Sequence, residues 1–249
     1  MSNSKEYFPK ACVFDLGNTL INDSQITQEA TVAMGAWLLE HALTDSKETF
    51  IATYTKINTD TVRPFISHTY GELEFFEKTL QHLGVTAIPP AEALQKYREI
   101  VTAKFLPDRD ILETFQFLRE QAVKIALLSN ERVDRVDCYM DQTGFREFFD
   151  TIIVSEGIGV EKPDRRIFEE ALTRLNISGK EMVMFGDNAI ADGACKQLGS
   201  TFVLVTGYKN NTWIWEEGEP HKPDYVIEKI TRSALEKLIN NLNRKEGLT

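Results

Sequence analysis

Ala11-Cys12-Val13-Phe14-Asp15-Leu16-Gly17-Asn18-Thr19-Leu20 is the stretch whose reading decides the fold. Residues 11–14 are mostly apolar and read as a short buried strand that delivers Asp15 to its C-terminal end. Gly17, Asn18 and Thr19 then break the strand with turn-forming chemistry. A carboxylate at the carboxyl end of a parallel strand sits where open α/β sheets build their sites. On its own, such an Asp need do no more than start a turn.

Working outward, three more stretches have the same character. A strand over 124–128 ends in Ser129-Asn130, and Gly159-Val160-Glu161-Lys162-Pro163 sets a lysine just before a predicted helix. A strand over 182–185 ends in Gly186-Asp187-Asn188, with Asp192 one turn later. Around these, strands and helices alternate. Pro107-Asp108 is a helix-start signal, and helices are predicted over 110–121, 131–142, 166–175, 189–198 and 233–242. Pro163 and Asp164 open the third of these, and Gly199 caps the fourth. Further strands are predicted over 123–128, 151–155, 201–205 and 225–227. Such alternation calls for a parallel sheet with right-handed crossovers.

Between Leu20 and Phe105 the pattern is different. Ile26, Ala30, Ala33, Met34, Trp37, Leu38 and His41 fall on one helical face, with residues 27–29 on the polar side. More helical segments follow over about 46–58, 71–83 and 90–104, with no strand among them. An all-helical block is therefore inserted after the first strand.

The chain of 249 residues is 42% apolar and 27% charged, as expected for a globular protein able to bury a sizeable core. A net charge of −10 disfavours nonspecific binding to nucleic acid or to an anionic membrane. It leaves an anionic substrate open, because local lysines and a metal can outweigh the global field. Cys12, Cys138 and Cys195 are scattered and odd in number, as unpaired thiols of a reducing compartment would be. Residues 1–10 contain no apolar signal segment and no run reaches membrane-spanning length, so a cytoplasmic location is expected. His41, His68, His82 and His221 are too dispersed to propose zinc. Trp213 and Trp215 lie in an irregular stretch, 207–223, that reads as a packed loop or short hairpin, or as an exposed dimer contact.

The four strand-end stretches, in this order, resemble the haloacid dehalogenase (HAD) superfamily, most of whose members are Mg²⁺-dependent phosphatases. The resemblance covers nearly the whole chain, its motifs running from Phe14 to Asp192. It implies a three-layer, doubly wound parallel α/β core formed by residues 1–22 and 107–249, with an inserted all-helical cap at 23–106. It further implies Asp15 as nucleophile, forming an aspartyl-phosphate, and Mg²⁺ held by Asp15, Asp187 and the backbone carbonyl of Gly17. Ser129 would bond a phosphoryl oxygen, with the Asn130 amide nearby, and Lys162 would neutralise phosphoryl and Asp15 charge. Read plainly, Ser129 could instead cap the helix predicted from Glu131. Thr19 and Asp192 are expected in support. Asp192 would bind a metal water or orient Lys162, or simply act as an acid at a helix N-terminus.

One departure stands out. The family usually reads D-x-D-G-T, and this chain has Gly17 in place of the second Asp, with Asn18 in place of Gly. That Asp protonates the leaving group and then deprotonates water, help of ~10²–10⁴-fold. Asp23, Glu72 or Glu131 are candidate substitutes. Substrate choice is expected in the cap, where Arg63, His68 and Tyr70 are candidate substrate contacts. The expected function is a Mg²⁺-dependent phosphatase for a small soluble phosphorylated metabolite, monomeric or homodimeric. The alternatives are a 2-haloacid dehalogenase, whose pattern is usually D-x-Y-G-T, and a non-catalytic binding protein on the same scaffold.

Overall fold

The computed structural model describes residues 9–61, 72–208 and 221–245. The chain divides into two compact units, Asp23–Phe105 and the pair Met1–Asn22 with Leu106–Thr249.

The first unit is helical: α1 (Asp23–Glu40), α2 (Lys47–Thr61), α3 (Glu72–His82) and α4 (Pro90–Thr102), with no strand among its described residues. Its centre is aromatic. Phe50, Tyr54, Phe76 and Tyr97 are buried, with ring centroids 5.2 Å apart for Tyr54–Phe76 and 5.4 Å for Phe76–Tyr97. Truncating Phe76 to Ala would cost about 3–5 kcal/mol. The buried stripe of α1 differs from the one expected. It runs through Ala30, Thr31, Met34, Gly35 and Leu38, whereas Trp37 is half-buried and His41 exposed, the two rings meeting tilted with centroids 4.3 Å apart. Small residues explain the rotation. A Cβ on Gly35 would lie 3.1 Å from the Lys47 carbonyl, so α2 approaches α1 where the side chains are smallest.

The second unit is the α/β unit. Its strands are β1 (Ala11–Phe14), β2 (Lys124–Ser129), β3 (Thr151–Val154), β4 (Met182–Gly186), β5 (Thr201–Val205) and β6 (Tyr225–Ile227). They form one parallel sheet in the order β3-β2-β1-β4-β5-β6. The helices are α5 (Arg109–Glu120), α6 (Val133–Thr143), the single turn α7 (Ser155–Ile158), α8 (Arg165–Leu175) and α9 (Arg232–Lys245). Strand alternation divides the core in two. Ala11 and Val13 pack with Ile167, Phe168 and Ala171 of α8. Phe14 faces the other way, stacked on Phe185 at 4.8 Å and edge-on to Phe115 of α5 at 5.4 Å. Helices thus cover both faces, as a parallel sheet with buried strands requires. The expected doubly wound α/β architecture is present.

Three of the boundaries that differ from expectation bear on the site. The helix expected at 131 starts at Val133, because the Glu131 carboxylate accepts from the Arg132 N–H and the Glu156 carboxylate from the Val133 N–H. Ser129 ends β2 and therefore does not cap α6. β3 stops at Val154 and yields to α7. The helix expected over 189–198 is only a 3₁₀ segment, Gly193–Leu198, closed by left-handed Gly199. Before it lies a single turn, capped by the Asn188 side chain, which accepts from the Ile190 and Ala191 N–H groups, and closed by the Asp192 N–H on the Asn188 carbonyl.

The chain runs outward from β1 to β3, returns, and runs outward again from β4 to β6. Its direction reverses between β1 and β4. The carboxyl ends of those strands form the topological switch point, where open α/β sheets take their ligands.

Candidate active site

Asp15 follows β1 directly and is 7% exposed. Its N–H donates to the Phe185 carbonyl at 2.9 Å, tying the start of the turn to β4. The turn itself is a backbone construction. The Leu16 carbonyl accepts from the N–H groups of Thr19 (3.3 Å), Leu20 (2.9 Å) and Ile21 (3.2 Å), and Gly17 bridges to Ile21. Asn18 lies in the left-handed region with φ 53°, and Gly17 is not among the positive-φ residues. Asn is one of the few residues that tolerates this conformation, so Asn18 keeps the turn where glycine is usual. Thr19, fully buried, donates its hydroxyl to Asp15 Oδ2 at 3.4 Å.

Lys162 comes from the irregular segment between α7 and α8, yet it is 2% exposed. Its Nζ donates to Asp15 Oδ1 at 2.7 Å and to Asp192 Oδ1 at 2.6 Å. Burial opposes its charge, but the Asp15 and Asp192 carboxylates outweigh that and hold the ammonium charged, above its ordinary range. Burial also dominates at Asp15: with the nearby Asp192 charge it pushes the carboxyl up to about 6, against the opposing pull of Lys162.

The β4 turn is held by side chains together with one backbone bond, from the Asp192 N–H to the Asn188 carbonyl at 2.8 Å. Asn188 Oδ1 accepts from the Ile190 and Ala191 N–H groups, both at 3.0 Å, and the Asn188 N–H donates to Asp192 Oδ2 at 2.9 Å. Asp192 is thus engaged through both oxygens and is 1% exposed, a buried bridging acid and not a helix-terminal charge in solvent. It packs so tightly over the end of β4 that a Cβ on Gly186 would fall 2.2 Å from its Cγ.

Ligand oxygens of Asp15, Asp187 and Asp192 all lie within 4.8 Å of one another. Asp15 and Asp192 share the Lys162 ammonium. All-oxygen, carboxylate donors are the chemistry Mg²⁺ prefers. The residues present therefore fit that ion.

Of the residues expected at the site, the structure brings Asp15, Thr19, Lys162, Asp187 and Asp192 together. Gly17 lies in the turn that follows Asp15. Ser129 ends the neighbouring strand and is buried, two residues beyond the Phe14–Leu127 register pair. Asn130 bonds the Lys162 backbone, Nδ2 to its carbonyl at 2.8 Å and Oδ1 from its N–H at 2.7 Å. Glu131, a candidate acid, is paired with Arg135 at 2.6 Å. Glu72 pairs with Arg98 at 3.0 Å within the helical unit. Arg63, His68 and Tyr70, like Trp213 and Trp215, lie outside the described residues. Sequence reasoning missed Asn188 and Gly186. Asn after Asp at a strand end is itself a turn signal, whereas nothing local announces the packing of Asp192 onto Gly186.

All three cysteines are unpaired thiols. No helix among the described residues is long and apolar enough to cross a membrane.

Comparison with known proteins bears on this geometry. Residues 9–199 match the family model for haloacid dehalogenase-like hydrolases. The chain is 29% identical to glyceraldehyde 3-phosphate phosphatase of Methanopyrus kandleri, over 87% of this chain and 90% of the relative. It is 25% identical to pyrophosphatase PpaX of Bacillus velezensis, over 89% and 93% respectively. Its fold is similar to that of magnesium-bound YfnB from Bacillus subtilis, with a TM-score of 0.72 at 21% identity, over 93% of this chain and 98% of that one. It is similar as well to L-2-haloacid dehalogenase from Xanthobacter autotrophicus, with a TM-score of 0.64 at 18% identity, over 94% and 100%.

Proposed function

Because the chain belongs to the haloacid dehalogenase-like hydrolase family, we propose that it is a Mg²⁺-dependent phosphatase acting on a small soluble phosphorylated metabolite through an aspartyl-phosphate at Asp15. The observation that carries this reading is the buried contact of Lys162 with Asp15 and Asp192, beside Asp187. The similarity to a phosphatase and a pyrophosphatase over about nine tenths of each chain supports it.

A phosphate monoester resists attack because its oxygens repel anionic nucleophiles, so the site must neutralise charge and hold the reacting atoms in line. Asp15, Asp187 and the Gly17 carbonyl would hold Mg²⁺, which supplies positive charge beside the carboxylate and the phosphoryl oxygens. Lys162 adds an ammonium, and the Ser129 hydroxyl donates to a phosphoryl oxygen. Asp15 must be ionised to act as the nucleophile, a form that the Lys162 ammonium favours and bound Mg²⁺ would favour further. A carboxylate oxygen of Asp15 bonds to phosphorus as the ester P–O bond breaks, and the electron pair leaves on the ester oxygen. Water then attacks the same phosphorus, breaking the bond to Asp15 and releasing inorganic phosphate.

Gly17 provides no acid for the leaving oxygen and no base for the water. Glu131 is committed to Arg135. Without a carboxyl at position 17, substrates whose leaving groups need little protonation, such as aryl or acyl phosphates, are favoured. Substrate selection is assigned to the inserted helical unit acting as a cap, with Arg63 and His68 as candidate contacts. A cytoplasmic location fits the three free thiols.

The test is a panel of phosphorylated metabolites and aryl phosphates assayed with and without Mg²⁺. Phosphate release that EDTA abolishes is expected. Undiminished turnover in EDTA with halide release from 2-haloacids would replace this reading with the dehalogenase. Inertness toward aryl phosphates in Mg²⁺ would replace it with a binding protein.

A further inference from the structure

We infer that Asn130 is a positioning residue for Lys162, acting on the lysine backbone and not on substrate. Its side-chain amide is spent twice on one residue. Oδ1 accepts from the Lys162 N–H at 2.7 Å, and Nδ2 donates to the Lys162 carbonyl at 2.8 Å, across 32 positions of sequence. An Asn side chain that satisfies both polar groups of one distant peptide residue fixes its position and its orientation together.

Lys162 needs such a fixture. It lies between α7 and α8, outside any regular ladder, and the nearest turn bond runs from Asp164 N–H to the Glu161 carbonyl. Its Nζ must nevertheless reach both Asp15 and Asp192 inside a site that excludes solvent. Asn130 directly follows β2, the strand paired with β1, so the clamp refers the lysine to the same sheet that places Asp15. Because a four-carbon side chain amplifies a small backbone rotation, loss of the clamp would move the ammonium more than the backbone. Misplacing a catalytic group by about 1 Å can cost ~10²-fold in rate.

The contribution to turnover rests on the phosphatase reading, but the clamp itself can be read without it. Amide exchange and the Nζ resonance of Lys162 are measured by NMR in the full chain, in wild type, Asn130→Ala and Asn130→Asp. In Asn130→Ala the Lys162 amide should exchange at least ~10-fold faster, and its Nζ signal should shift or broaden. Asn130→Asp keeps an acceptor for that N–H and should retain most of its protection. Unchanged Lys162 exchange and an unchanged Nζ signal in Asn130→Ala would overturn the inference. So would a uniform loss of protection across β2 and α6, which marks a general structural role.

Turnover of an aryl phosphate supplies a second readout. Asn130→Ala should lower kcat/KM by ~10–10²-fold in the wild-type background and by less than about 2-fold in Lys162→Met, because the clamp then holds nothing that reacts. An equal loss in both backgrounds would make Asn130 a substrate contact and overturn its assignment. If the wild type turns over no phosphate at all, the phosphatase reading fails while the exchange measurement still decides the role of Asn130.

Discussion

The turn after β1 and the turn after β4 present the acids of the switch point, but different atoms hold them in shape. After β1, one backbone carbonyl, Leu16, gathers three N–H groups. After β4, the Asn188 side chain gathers two, and the Asp192 carboxylate takes the Asn188 N–H. A turn knit by backbone tolerates changes of side chain, whereas one knit by side chains does not. Both departures from the D-x-D-G-T pattern, Gly17 and Asn18, fall in the backbone-knit turn. The Gly-Asp-x-x-x-x-Asp stretch ends in Asp192, engaged through both oxygens and packed tightly against Gly186.

Four experiments break or sharpen this contrast. The largest effect is expected from the acids themselves. Asp15→Asn and Asp187→Asn should each reduce Mg²⁺-dependent turnover by ~10³-fold or more, since a neutral amide is a poor nucleophile and a poor ligand. Thermal midpoints close to wild type would show that chemistry was lost and not the fold; residual full activity in either variant would place the reaction elsewhere.

Gly17→Asp probes the tolerance of the first turn by adding the missing acid. Gly17 avoids the left-handed region, so the backbone accepts a side chain there. The kcat/KM for alkyl phosphates should rise by ~10–10³-fold, with little change in kcat/KM for aryl phosphates, whose leaving groups need no proton in the first step. A uniform effect on both classes would show that protonation is not what limits the native protein.

Gly186→Ala probes the rigidity of the second turn. The added methyl would overlap Asp192, which must withdraw from Lys162 or from Asn188. Turnover should fall by about 10²-fold, and a crystal structure should show the Asp192 carboxylate displaced. An undisplaced Asp192 would mean that β4 itself yields.

The smallest effects separate the turns by stability alone. Asn188→Ala strips two N–H groups of their acceptor and should cost about 1 kcal/mol. Asn18→Gly keeps the left-handed conformation and should stay within about 0.5 kcal/mol. Chemical denaturation of both variants checks this; equal losses would erase the distinction between the turns.

What could be read from the sequence follows the same division. Asp15, Asp187 and Asp192 stand next to short apolar strands and turn residues, signals contained within ten residues of chain. β5 and β6 likewise lie where their patterns set them. The contact of Asn130 with Lys162 joins a side chain to a backbone 32 positions away, and no local pattern encodes it. The segment before Gly199 has apolar spacing that suits a helix, and the Asn188 cap is itself a helix-start signal, yet the chain forms one turn and then a 3₁₀ segment. The buried stripe of α1 was misread because close contact went to Thr31 and Gly35, which a search for large apolar residues overlooks.

The whole helical unit enters the chain between two strands that pair side by side, β1 and β2. Closing such a connection costs conformational entropy that grows only with the logarithm of its length, about 0.6 kcal/mol for each doubling. Extending an ordinary β-to-β crossover by an entire second unit therefore burdens the sheet by only about 1–2 kcal/mol. The sheet can accept an insert of almost any size at this position provided the insert folds on its own core, and the aromatic cluster around Phe76 is such a core. A different self-folding module could take this place in the chain without disturbing the pairing of β1 with β2.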